Sequence, residues 1–524
     1  MPENTADVQI LKGKTFVSGV YVMTLSTIIV KIIGLVYKIP MLKLIGSIGM
    51  GYFNSAYEIY ASFCVISTSG LPVAMSLLIA GTEDKAKRQK IFKVSFFAFL
   101  IVGLVCMALI LGLAYPFSVF LGSRETYLSL LCISPAILFI CLCSAIRGYF
   151  QGLSRMVPTA LSQIIEASGK LMLGLLFAGI GMKIGLGLPQ IAGMAVLGLT
   201  LSEGIALIYL LVSKGKSDRG DCDESEKKIF FSLMKTTLPI TFSASILSIT
   251  KLIDMTMIFR RLGSLGYGSN LVNSIYGSYT TLAIPLFSLA PALVSGVALP
   301  LIPAISSARA EGNIDIQNQT ANRAFKLTSL ISSPIGVGLV LFSTPILQMI
   351  FSGQDSEINM SAPLLSILGL SVLMSCFITV QNALLQAYSK PNLPIISMVA
   401  GSVLKIILCY VLVGSPSVHI YGIPISTFVC DFAISTMNFC FLSKHTPLKF
   451  MFSDFLIKPY LCAILSCACG YMIFEVSRGK IFTPALHTLC CTGICGLLYA
   501  VLLFVTKTFD KKEAEILLLK KQNT

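Results

Sequence analysis

Charge is scarce in this sequence: Asp, Glu, Lys and Arg make up only 12% of 524 residues, hydrophobic residues make up 55%, and mean hydropathy is +0.84. A soluble chain of this length carries about a quarter charged residues, so a water-soluble globular protein is excluded. Tryptophan is absent, which leaves anchoring at membrane interfaces to tyrosine and phenylalanine at helix ends. The three histidines lie far apart and no loop gathers Asp, His and Glu. Glycosyltransferase or polymerase chemistry, which needs an acid-rich metal site or a catalytic base in a sizeable loop, therefore has no place, and the chain is not expected to be an enzyme. A phosphate-binding GxxxxGK[ST] loop is missing too, so ATP does not drive the protein directly. Cysteine is not short, at 16, but no CxxC pair sits in a loop and most cysteines (Cys106, Cys141, Cys143, Cys462, Cys467, Cys491 among them) lie inside apolar runs. They read as small packing residues, and no metal site is expected.

What the chain does have is apolar length. Runs of about twenty residues recur, enough to cross a hydrocarbon core as helices. The short alternating segments of a β-barrel are missing. The expected fold is an all-α polytopic membrane protein of about 14 transmembrane helices. The first span, 15–37, is too long and lacks the small-residue site of a cleaved signal, so it is expected to stay; a glycine-rich outer loop at 43–51 follows it. The net charge of +15 fits membrane topology better than nucleic acid. With the N-terminus inside, alternate loops place roughly 27 Lys and Arg in the cytoplasm and roughly 8 outside. Anionic lipids of the inner leaflet are the expected surface partner, and no nucleic acid is.

Duplication organises the chain. Residues 146–170 join one apolar run to the next through a short basic turn, then place Ser162, Gln163, Glu166 and Lys170 on the following helix. Helical periodicity stacks Gln163, Glu166 and Lys170 on one face. A second copy lies at 381–408. A shift of 235 takes Gln151 to Gln386, Ser154 to Ser389, Arg155 to Lys390 and Lys170 to Lys405, while Glu166 falls on Gly401. A shift of 224 takes Gly198 to Gly422 and Ser202 to Ser426. The expected organisation is a six-helix lobe at 1–213, a cytoplasmic linker at 214–235 and a second six-helix lobe at 236–443 in pseudo-two-fold repeat. Two extra transmembrane helices and a charged cytoplasmic tail occupy 444–524. Paired lobes around a cavity suit a transporter, and an enzyme needs no such duplication. Pro285, Pro291, Pro300 and Pro303 are expected to kink the eighth span.

Three motifs carry a family resemblance: R-G-Y-F-Q-G-x-x-x-M-x-P-T-A-x-S-Q-x-x-E at 147–166, G-L-P-V-A-x-S at 70–76 and G-x-x-x-K-I-P at 34–40. Together they resemble the stage V sporulation protein B and polysaccharide exporter family. That family belongs to the multidrug/oligosaccharidyl-lipid/polysaccharide exporter superfamily and includes lipid II flippase-like members. The resemblance covers nearly the whole chain. Its usual continuation, E-Q-x-x-R, reads Glu166-Ala167-Ser168-Gly169-Lys170 here, so a point charge stands where a guanidinium fork would be.

The resemblance implies translocation of a polyprenyl-pyrophosphate-linked sugar by alternating access. The cargo would be a lipid II-type peptidoglycan precursor or a related polysaccharide unit. The setting would be the bacterial cytoplasmic membrane, with both termini cytoplasmic and a monomer working beside cell-wall synthesis machinery. No cofactor is implied beyond Na⁺ or H⁺ coupling or the membrane potential, and the two extra helices at 458–506 would hold the lipid tail. The alternative in the same superfamily is an ion-coupled exporter of drugs and organic cations, whose cavity would be acidic or aromatic.

A diphosphate needs cations. The substrate-binding candidates are Lys31 and Lys38, seven apart on the first span and so on one face, with Lys251 and Arg260 on the seventh. Lys38, Arg260 and Arg261 also suit snorkelling to the interface, and Lys251 with Asp254 also suits a structural ion pair. Glu166 and Lys170 read either as a coupling pair, the carboxylate taking a proton or Na⁺, or as a permanent i,i+4 pair fixing span five. Glu58, Glu203, Asp431 and Glu475 have no partner visible in sequence and receive no role.

Overall fold

The computed structural model describes residues 5–82, 84–215, 225–477, 483–506 and 508. Residues 216–224 of the linker expected at 214–235 lie outside the described residues, as do Lys507, Lys511, Lys512, Lys520 and Lys521 of the tail. Among the described residues the chain is helical and has no strand. Within a bilayer that follows from hydrogen bonding, since a helix satisfies its own backbone groups where no water can.

The first helix, α1 (Thr5–Thr68), runs for 64 residues. At about 1.5 Å per residue it would be about 96 Å long, three times the hydrocarbon thickness. It is broken at Gly46, whose φ of 64° and ψ of 178° leave helical space. The expected outer loop at 43–51 is thus helical apart from this one glycine. Its other small residues make contact instead of loop: Gly51 lies against the backbone of Asn273, and the hydroxyls of Ser47 and Ser274 share a hydrogen bond of 2.8 Å.

The helices that follow are α2 (Leu71–Ala80), α3 (Lys85–Phe120), α4 (Thr126–Gly152), α5 (Met156–Ile184), α6 (Leu188–Lys214), α7 (Glu226–Ser264) and α8 (Ser269–Ser278). A π turn, Tyr279–Ala283, leads into α9 (Ile284–Ala310). Pro285 explains its place: proline has no N–H and its ring excludes the carbonyl four residues back, which widens the turn before it. Pro291, Pro300 and Pro303 lie inside α9. Then come α10 (Ile314–Leu341), α11 (Ser343–Ile350), α12 (Asp355–Ala387), α13 (Asn392–Val413), α14 (Gly422–His445), α15 (Lys458–Ser477) and α16 (Pro484–Val505). Among the described residues, thirteen segments are long and apolar enough to cross a membrane. The first of them, Leu25–Ala80, is 56 residues long and contains the Gly46 break, so it accounts for two of the expected spans.

The chain forms two compact units, Met1–Gly277 and Ser278–Thr524. In the first, α5 and α6 pair, α4 packs on α6, α3 packs on α4, and α1 touches α4, α5, α6 and α7. In the second, α12 packs on α9, α10 and α14, and α13 pairs with α14. The added pair α15 and α16 docks on α10 and α11, burying Cys462, Cys467, Cys491 and Cys495 with Phe342 and Phe474. The Cys495 sulfur fills the space that a Cβ on Gly470 would need, so cysteine and glycine serve this helix crossing as small packing residues.

The repeat appears in backbone detail. Ser154 and Ser389, equivalent by the 235 shift, are both left-handed with φ 58°. The turns around them close alike. Ser154 N–H donates to Gln151 at 2.9 Å and Arg155 N–H to Phe150 at 2.8 Å; Ser389 and Lys390 donate to Gln386 and Leu385, both at 2.9 Å. These are Schellman-type ends without the usual glycine. The Gly198–Gly422 equivalence also marks a close crossing in each unit. A Cβ on Gly198 would lie 2.5 Å from the Gly174 nitrogen, and one on Gly422 would lie 2.8 Å from that of Val413. Without a hydrophobic drive between helices in lipid, such approaches supply the packing.

Gly198→Val is therefore expected to destabilise the protein by about 1–3 kcal/mol through overpacking. Gly179→Ala, where an added Cβ meets nothing within 4 Å, should be neutral or slightly stabilising. Thermal denaturation followed by size exclusion in detergent reads both.

Candidate functional site

The chemistry of the first unit centres on Arg147. Its position near the C-terminal end of α4 looked like that of a cation in a basic turn, but it is buried, with 8% of its surface exposed. The tight turn after α4 sends α5 back alongside it, and Arg147 reaches across. Its Nε donates to Ser162 Oγ at 2.9 Å and its Nη2 to Glu166 Oε2 at 2.9 Å. Ser162 in turn donates to the Thr159 carbonyl at 2.7 Å. The partner of Glu166 is thus on the neighbouring helix and not one turn along its own.

Lys170 turns to aromatic faces instead. Its Nζ sits 4.0 Å from the ring centre of Tyr57, 5.5 Å from that of Tyr37 and 5.7 Å from that of Phe53, all on α1. Ring quadrupoles stabilise an ammonium held in this way. Gly169 lets α5 approach α6 closely, since a Cβ there would lie 2.7 Å from that of Ser202. That crossing brings Glu203 within electrostatic reach of Lys170 and Glu166. Glu203 is 2% exposed; Oε1 accepts from Tyr60 OH at 2.9 Å, while Oε2 has no hydrogen-bond partner. Glu203 is a site residue that sequence reading left out, because its partners come from α1 and α5.

Of the other candidates, Lys31 on α1 and Lys251 on α7 are both exposed and lie within electrostatic reach of each other. Lys38, half-buried, senses Lys170, Glu58 and Lys31. Arg260 stands elsewhere. Nine residues beyond Lys251, or about 13 Å along a helix, it donates from Nε to the Phe120 carbonyl at 3.1 Å and lies over the Phe120 ring at 4.2 Å. Asp254 is half-buried on α7, three residues after Lys251. The structure therefore links Lys31, Lys38, Lys170 and Lys251 electrostatically with Glu58, Glu166, Glu203 and Arg147 in one seam, and leaves Arg260, on α7, against the end of α3. Lys31 and Lys251 are exposed, Lys38, Lys170, Glu58 and Glu166 are half-buried, and Arg147 and Glu203 are buried. Among the described residues no three His, Cys, Asp or Glu side chains gather as a metal site would require.

The second unit carries an uncharged counterpart. The equivalents of Arg147 and Ser162 are Asn382 and Ser397. Ser397 Oγ donates to Asn438 Oδ1 at 2.6 Å, and Asn438 Nδ2 donates to Asn382 Oδ1 at 3.1 Å. Gly401, in the place of Glu166, leaves its side-chain space to Ile434. Lys405 nevertheless has an acid within electrostatic reach, Asp431 on α14. The acid not repeated in sequence on α13 is supplied by the next helix.

Comparison with known proteins agrees with this architecture. The sequence family described as polysaccharide biosynthesis protein matches residues 16–309, and the MatE family matches 239–411. Stage V sporulation protein B of Bacillus subtilis (strain 168) is 23% identical over 515 residues, covering 95% of this chain and 97% of its own length. Lipid II flippase MurJ of the same organism is 25% identical over 414 residues, covering 74% of this chain and 76% of its own. A solved structure of lipid II flippase MurJ in an inward closed conformation superposes with a TM-score of 0.73 at 17% identity, over 92% of this chain and 98% of that one. An inward-facing multidrug resistance MATE family transporter gives 0.64 at 15% identity, over 79% and 97%. Fold and relatives define a multi-pass helical membrane transporter of the flippase and MATE type. Within that class, the chain belongs to the polysaccharide biosynthesis protein family, as the motif at 147–166 indicated.

Removing one partner of the buried pair leaves the other charge stranded. Arg147→Ala is expected to cost about 3 kcal/mol, the lower end for a buried pair because Glu166 keeps 31% of its side chain exposed. Arg147→Ala with Glu166→Ala should recover most of that loss. A double-mutant cycle on thermal stability measures it, and additive losses would show that the pair does not couple α4 to α5.

Proposed function

We propose that this protein carries a polyprenyl-pyrophosphate-linked sugar, a lipid II-type precursor or related polysaccharide unit, from the inner to the outer leaflet of the cytoplasmic membrane. The observation that carries the reading is the concentration of Lys31, Lys38, Lys170 and Lys251 in one helical unit. Cations within spans are costly and are retained where they meet an anion or a polar path, and a diphosphate supplies the anion. Two relatives, one named as a lipid II flippase, support it. In this reading the exposed Lys31 and Lys251 meet the diphosphate first, and Lys170 leaves its aromatic cradle to join them. Glu166 and Glu203, two acids within reach of one cation or proton, are the groups assigned to Na⁺ or H⁺ coupling. The pair α15 and α16 is assigned to the lipid tail.

A second reading, export of organic cations, rests on one feature: the rings of Tyr37, Phe53 and Tyr57 already hold a cation.

Head-group accessibility of fluorescent lipid II in vesicles reconstituted with the protein distinguishes the two. Protein-dependent translocation is expected. Lys31→Ala and Lys251→Ala together should slow it at least about tenfold, the scale of one or two lost charge-assisted contacts. Lys170→Gln should act in the same direction. Translocation untouched by all three would remove these residues from the site. Accumulation of dye cations against a Na⁺ or H⁺ gradient, with no lipid movement, would assign the protein to cation export.

A further inference from the structure

A separate polar site lies in the unit Ser278–Thr524. After α14 ends at His445 the chain runs without regular structure to the π turn Ser453–Ile457, which leads into α15. This connection is clipped along the first turns of α10 by two asparagines one turn apart. Lys449 N–H donates to Asn318 Oδ1 at 2.7 Å, and Met451 N–H donates to Asn322 Oδ1 at 2.9 Å. Asn322 Nδ2 donates to the Lys449 carbonyl at 2.8 Å. The asparagines do for this segment what a neighbouring strand would do, occupying backbone groups that an irregular connection leaves open.

Beside the clip opens a cavity of about 420 Å³, within the range of small-molecule sites. Arg323, Lys326 and Lys449 line it, together with Asp315 and Asp454. Lys458 pairs with Asp454 at 2.6 Å, which leaves the lining cationic. Behind it Phe455, also a lining residue, stacks on Phe325 at 5.1 Å, so the wall on that side is apolar and rigid. Met451, a lining residue, and Phe452 and Ile457 close to it in the chain are 61%, 43% and 51% exposed. The ends of α9 and α14 and the start of α15 also carry Arg309, Lys444 and Lys458. By the positive-inside rule this is the cytoplasmic end of the unit.

We propose that this pocket binds the phosphate of an anionic phospholipid of the cytoplasmic leaflet. Arg323, Lys326 and Lys449 take the phosphate, and Met451, Phe452 and Ile457 lie against the acyl chains. Cations above an exposed apolar rim match a lipid that is charged at one end only. The bound lipid bridges α10 and the α14–α15 connection, and so braces the root of the added helix pair. Such a site operates whatever the cargo.

The test is retention of fluorescent phosphatidylglycerol by the full chain, delipidated in detergent. Phosphatidylcholine, a polyprenyl phosphate and soluble glycerol 3-phosphate run as parallel ligands. Arg323→Gln and Lys449→Gln are each expected to weaken phosphatidylglycerol about fivefold, and together about 25-fold. Should the double variant fail to fold, Lys449→Gln alone serves, because Lys449 joins the clip through its backbone only. Unchanged affinity in the variants overturns the site. Glycerol 3-phosphate competing as well as the lipid overturns its lipid character. Retention of polyprenyl phosphate without phosphatidylglycerol overturns the phospholipid assignment and gives the pocket to the cargo.

Discussion

The ion pair between Arg147 and Glu166 is the constraint around which the first unit is built. A guanidinium inside a membrane bundle is costly unless it is paired, and here Ser162 and Glu166 take two of its donors from α5. The pair therefore fixes how α5 lies on α4, and the left-handed turn at Ser154 allows only a short connection between them. Once α5 is set, Gly169 and Gly174 let α6 approach, which delivers Glu203 to the same place. With Glu166 paired to Arg147, the Lys170 ammonium rests on the rings of α1, with Glu166 and Glu203 within electrostatic reach. One pairing thus determines where a second acid and a second cation go.

The two units use one backbone plan with different electrostatics. Ser154 and Ser389 turn alike, and Gly198 and Gly422 mark equivalent crossings. At the junction of fourth and fifth helices, however, one unit has an ion pair and the other has Asn382, Asn438 and Ser397 in a neutral relay. Hydrogen bonds among amides and hydroxyls hold helices together without a charge to stabilise, so the second unit keeps the geometry at lower electrostatic risk. Near the position matching the Arg147–Glu166 pair, the second unit has the charges Lys405 and Asp431, on α13 and α14.

Much of this was legible in the chain itself. Apolar runs and their spacing specify membrane helices because hydrophobic length is a local property that the bilayer reads directly. The repeat and the motif at 147–166 were visible because turn chemistry and close helix contacts need particular residues at fixed separations. Lys31, Lys38, Lys170, Lys251 and Glu166 stood out as charges inside apolar runs, and the structure gathers them into one seam. Arg260 stood out for the same reason, yet from α7 it reaches the end of α3 instead.

Partners were decided only by the tertiary structure. Periodicity places Glu166 and Lys170 one turn apart, but whether they pair depends on what the next helix offers, and that helix offers Arg147. Glu203 and Asp431 look solitary in sequence because their neighbours are contributed by other helices. A glycine-rich stretch at 43–51 reads as a loop, yet only Gly46 breaks the helix while Gly51 meets the backbone of Asn273, more than two hundred residues away in the chain. Sequence thus determined which segments span the membrane and which charges they carry. The crossings of those helices, set by the few positions without side chains, determined which charges meet.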